Sequence, residues 1–112
     1  MINYNDRRFR PVQNTATGET SPDTIFHYKQ EGPVLSSTYA GGRIRIGHLI
    51  ALVDEEGRID MRYHQINDKG ELMTGTCTSV PEVLPNGKIR LHERWQWTSG
   101  DRTSGSSVLE EM

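Results

Sequence analysis

Six short glycine-bearing clusters punctuate the chain: Glu31-Gly32-Pro33, Gly41-Gly42, Glu55-Glu56-Gly57, Asp68-Lys69-Gly70, Asn86-Gly87 and Ser99-Gly100-Asp101. Glycine and asparagine reach the positive φ that tight reversals need, so each cluster reads as a hairpin turn. Between the turns, apolar and polar residues alternate with a period of two rather than 3.6, which is the pattern of a half-buried strand. Lys88 to Trp97 sets Ile89, Leu91, Glu93, Trp95 and Trp97 on one side, against Lys88, Arg90, His92, Arg94 and Gln96. Arg58 to Gln65 likewise sets Ile59, Met61, Tyr63 and Gln65 opposite Arg58, Asp60, Arg62 and His64. In Arg43 to Leu52 the even positions, Ile44, Ile46, His48, Ile50 and Leu52, are predicted to face inward, and the arginine-bearing sides to be solvated outer surface.

Further strands are expected over Thr24 to Gln30, Val34 to Ala40, Glu71 to Val80 and within Ser106 to Glu111. An edge-like strand is expected at Glu82-Val83-Leu84 after Pro81, and Tyr4 to Val12 is a further candidate for pairing. Residues 13–23, with Gly18 and Pro22, read as a loop or one helical turn, and no other stretch supports a full helix. Connections this short force antiparallel neighbours. The expected architecture is therefore all-β: an up-and-down meander of about eight or nine strands closing into a small calycin-like barrel, lipocalin-like in outline. An open, strongly curved sheet that dimerises along an edge is the alternative.

At 112 residues, of which 33% are hydrophobic, the chain suits one domain over 1–112 with a thin core. Thirteen basic and fifteen acidic residues are mixed along it, without the basic run that a nucleic-acid partner would require. The longest apolar stretch, Leu49 to Val53, falls far short of a membrane span. The polar opening has no signal-peptide core, so a cytoplasmic location is expected. Cys77 is the sole cysteine and reads as a small buried strand residue, since no paired base is visible in the sequence. The four histidines are scattered, so neither a metal nor another cofactor is expected.

Polar residues on apolar faces are the candidates for function. Glu93 shares its side of a strand with Ile89, Leu91, Trp95 and Trp97, and a carboxylate there must be paired, protonated or facing a wet cavity. His48 sits among isoleucines; Tyr63 and Gln65 follow Met61, and Tyr28 and Gln30 follow Phe26, each at a spacing of two. In a closed barrel, Glu93, Tyr63, Gln65, Tyr28, His48 and Trp95 would converge on one lumen. Glu93 would receive a donor or a cation, the tyrosines and Gln65 would orient the ligand, and Trp95 would supply an apolar wall. The plainer reading is that an arginine or histidine neutralises Glu93 and the aromatic residues are ordinary core. A homodimer is compatible with either, because a small barrel often leaves an edge or mouth to be covered.

Several phrases are distinctive together: Gly18-Glu19-Thr20, Thr24-Ile25-Phe26-His27-Tyr28-Lys29-Gln30, Tyr39-Ala40-Gly41-Gly42, Met61-Arg62-Tyr63-His64-Gln65, Gly70-Glu71-Leu72-Met73-Thr74-Gly75 and Glu93-Arg94-Trp95-Gln96-Trp97-Thr98-Ser99-Gly100-Asp101. Through them the chain resembles, over nearly its whole length, a family of small bacterial proteins that carries the name N-acetylglutamate synthase. That resemblance implies acetyl transfer from acetyl-CoA to glutamate. Acetyltransferases hold the cofactor's pyrophosphate at a loop of pattern Arg/Gln-x-x-Gly-x-Gly/Ala that opens a long helix. The nearest match, Arg102-Thr103-Ser104-Gly105-Ser106-Ser107, ends in serine and leaves five residues after it. From the residues alone, the leading reading is a small-molecule-binding barrel without an assigned reaction; acetyl transfer and a structural or protein-binding module are the alternatives.

Overall fold

Each of the six glycine clusters reverses the chain, and the strands on either side of it pair antiparallel. The computed structural model describes residues 2–112. It contains β1 (Arg8–Asn14), β2 (Ile25–His27), β3 (Lys29–Glu31), β4 (Val34–Gly41), β5 (Ile44–Val53), β6 (Ile59–Asn67), β7 (Leu72–Val83), β8 (Ile89–Trp97) and β9 (Ser104–Glu111), with no helix among the described residues. From β3 to β9 the order is a strict meander; β9 then pairs with β1, β1 with β2, and β2 with β4. That last contact closes the sheet into an eight-stranded barrel with one extra strand, as expected, and rules out the open sheet.

The extra strand arises from one interruption. β2 and β3 keep a single register against β4, from Ile25↔Ala40 through to Glu31↔Val34, so they are one strand broken at Tyr28. There the Tyr28 N–H donates to Arg7 O and its carbonyl accepts from the Asp6 N–H, both at 2.9 Å. The break lets the segment before β1 join the wall. It also carries Tyr4 into the barrel, where its hydroxyl donates to Gly57 O.

Three sequence expectations need correction. First, β5 carries a bulge between Ile44 and Ile46, and one unpaired residue moves every later side chain to the other face. Gly47, Leu49, Ala51 and Val53 therefore point inward, whereas Ile46, Ile50 and Leu52 are exposed and His48 lies on the outer face, its ring 5.6 Å from that of its cross-strand partner His64. Second, Glu82-Val83-Leu84 is no separate edge strand: Glu82 and Val83 are the end of β7, and Leu84 lies past it. Beyond Ser79 this strand pairs with β8 alone, so Pro81 interrupts no ladder toward β6. Third, the opening strand runs Arg8–Asn14 rather than Tyr4 to Val12, so Gln13 and Asn14, expected in the loop of residues 13–23, pair with β9 instead.

The two ends of the barrel are chemically unlike. The end bounded by the turns at 32, 54–57 and 84–87 is filled by Tyr4, Phe9, Leu35, Ile59, Leu91 and Leu109, all buried. At the other end, bounded by the turns at 41–42, 67–70 and 98–102, the interior holds Gln65, Asn67, Glu93 and both tryptophans, and the β1–β2 connection of residues 15–24 folds across it.

Candidate functional site

The inward alternation of β8 puts Glu93 in the barrel with 8% of its surface exposed. Its cross-strand neighbours are Ser79 on β7 and Ser107 on β9, which makes one row of three inward side chains. The Ser79 hydroxyl donates to Glu93 Oε2 at 2.6 Å and the Ser107 hydroxyl to Oε1 at 3.1 Å. No arginine or histidine neutralises the carboxyl, contrary to the plainer sequence reading. Burial is the largest influence on Glu93 and pushes its pKa above the usual carboxylate range, against the lowering effect of the serine hydrogen bonds.

Beside this row lies a cavity of about 50 Å³, enough for a few water-sized groups. Glu93, Tyr28, Tyr63, Gln65 and Trp95, five of the six candidates from the sequence, line it. His48 does not, because the β5 bulge carries it outside. Tyr28 is fully buried, and its hydroxyl is a buried polar atom without a hydrogen-bond partner. Burial, reinforced by the nearby Glu93 charge, pushes its ionisation far above the ordinary phenol value, so it remains a neutral O–H. Tyr63 packs edge-on to Trp97 with ring centroids 5.7 Å apart, and Trp95 lies at the same distance from Trp97.

The mouth is held by polar bonds to residues 15–24. Gln65 accepts from Tyr39 Oη and donates to Glu19 Oε1, both at 2.8 Å, while Asn67 Nδ2 donates to Glu19 Oε2 at 2.7 Å. The tryptophan indoles hold the same segment and its root: Trp97 Nε1 donates to Thr17 O and Trp95 Nε1 to Asn14 Oδ1, each at 3.1 Å. Glu19, Ser79, Ser107 and Asn14 are site residues that reasoning from the sequence missed. Glu19 stood out only within the phrase Gly18-Glu19-Thr20, because a loop gives no alternation from which to infer direction. The serines had one, in the positions of the turns.

The segment Arg102-Thr103-Ser104-Gly105-Ser106-Ser107, nearest in pattern to a pyrophosphate loop, leaves a turn and enters β9. Gly105 lies under the Trp95 ring, and no helix follows. Among the described residues no three histidine, cysteine, aspartate or glutamate side chains gather as metal ligands. Cys77 is buried on the inner face of β7 with its thiol pushed up by burial, so it is held as the protonated form.

No curated protein matches the chain. Residues 2–112 match the family of avidin-like proteins. The chain belongs to that family.

Proposed function

We propose that this avidin-like barrel is a small-molecule-binding protein whose ligand enters the polar end of the lumen, under residues 15–24. The observation that carries this reading is the Tyr28 hydroxyl, fully buried at the cavity wall without a partner. A hydroxyl left so costs about 1–3 kcal/mol, a burden that a ligand hydrogen bond would relieve. Glu93 and Gln65 supply further polar contacts nearby, while Trp95 and Tyr63 supply apolar walls, the composition of a small-ligand site. Tyr28→Phe tests it: thermal or urea unfolding should show the free protein more stable by about 1 kcal/mol. Crystals soaked in small polar fragments should hold one at Tyr28 Oη in the wild type and lose it in the variant. Fragments found only on the outer face would overturn the reading.

We also propose that the partner for the outer face of β4 to β6 is a second copy of the chain. Ile46, Ile50 and Leu52 are 57%, 55% and 60% exposed, with Val34 and Ile66 beside them. Asp60 and Arg62 put both signs of charge on the same face, which suits an isologous contact. Sedimentation should give a dimer for the wild type and a monomer for Ile50→Lys. A monomeric wild type at high concentration would remove this proposal.

A further inference from the structure

We propose that the cavity takes a small organic cation, an amidinium, guanidinium or ammonium head, with its N–H groups on Glu93 and its faces against the aromatic wall. The proposal rests on the reading that the lumen binds a ligand, and it names the chemistry of that ligand. The first support is the charge inventory. Two carboxyl groups, Glu93 and Glu19, line the cavity, and no described lysine, arginine or histidine does. The whole chain is nearly balanced, with thirteen basic and fifteen acidic residues, so the one-sided interior does not follow from composition. The arginines lie elsewhere, in pairs such as Arg7–Glu111, Arg62–Asp60 and Arg90–Glu110 toward the outside.

The second support is unused acceptor capacity. A carboxylate has about four lone-pair sites; the two serine hydroxyls occupy two of those on Glu93, and even with the Cys77 thiol as a further donor, capacity remains. The groups around Glu93 are neutral hydroxyls and a thiol: Ser79 and Cys77 on β7, Ser107 on β9, Tyr39 on β4, Tyr63 on β6, and Tyr28 between β2 and β3. None supplies a countercharge, and a buried charge without one is expensive. A ligand cation would provide it.

The third support is the wall. Tyr63, Trp95 and Trp97 line the same space as Tyr28 and Glu93, and the negative faces of aromatic rings attract a desolvated cation. A neutral amide would meet the hydrogen bonds but leave ionised Glu93 uncompensated, and an anion would be repelled by it. The cavity volume of about 50 Å³ limits the buried group to a compact head, with any longer part leaving past residues 15–24.

An isosteric series separates these classes: acetamidinium, acetamide and acetate have the same shape and differ in charge. Both tryptophans of the chain line the cavity, so indole fluorescence and the indole N–H resonances report binding there directly. The expected result is saturable binding of acetamidinium at least ten-fold tighter than acetamide, with no response to acetate, and weakening as the pH falls and Glu93 is protonated. Glu93→Gln should abolish the preference for the cation; a variant that keeps it overturns the assignment. Acetamide or acetate binding as well as acetamidinium overturns the cation proposal and leaves the lumen as a ligand site. Silence from all three overturns both. The wild-type series stands alone if the variant fails to fold.

Discussion

A carboxyl held by two serines, with no positive group beside it, is easier to bury protonated than charged, and this sets the pH response of the free protein. The folded-state pKa of Glu93 lies above its unfolded value of 4.5. The stability that comes from burying the neutral acid is therefore fully present below about pH 4.5 and is lost as pH rises through the folded pKa. Glu93→Gln keeps the shape and cannot ionise, so its stability relative to wild type should grow as pH rises through that window. Urea unfolding between pH 4 and 8 measures it, and a constant difference would contradict the assignment. At this scale much of the site was legible. The alternation of β8 singled out Glu93, and reflecting position 93 through Asn86 and through Gly100 gives Ser79 and Ser107, the two serines that hold it. His48 was misplaced because β5 is apolar on both faces, so alternation could not show that the Arg45 bulge had exchanged them.

Strand pairs repeat one device in three places. Tyr39 lies over Gly47 across β4 and β5, Tyr63 over Gly75 across β6 and β7, and Trp95 over Gly105 across β8 and β9; in each case a Cβ on the glycine would overlap the ring. None of these glycines has a positive φ, so they serve as space, unlike the turn glycine Gly41 at φ 125°, whose Cβ would strike Asp23 O. Two of the three rings line the cavity, and the third, Tyr39, orients Gln65. Gly75→Ala should cost about 1–3 kcal/mol by overpacking and shift Tyr63 off its glycine. Chemical denaturation and the tyrosine ring resonances would reveal both, and an unperturbed Tyr63 would remove the proposed role of the pair. The partners are again mirror images about the turns, so knowledge of register would have exposed them. The placement of residues 15–24 over the mouth had no such rule, because it depends on Glu19, Gln65 and Asn67 meeting from distant positions in sequence.

Closure makes the whole molecule a single ring in which β1 and β9, from opposite ends of the chain, are neighbours. Phe9 pairs with Glu111, Arg7 binds the Glu111 carboxylate at 2.8 Å, and the Met112 N–H donates to Arg8 O. The turns and alternation made a barrel the expected outcome, whereas the seam itself depends on a bulge between Pro11 and Gln13 that nothing in the residues announces. With β1 and β9 side by side, the covalent order of the strands is one of several that the same ring could tolerate. A circular permutant joined by a glycine linker long enough to cross the barrel end from Met112, beside Arg8, to Ile2, which lies against Gly57, and opened at the exposed Asp68-Lys69 turn, should refold to the same circular dichroism spectrum and retain the indole environment of the lumen.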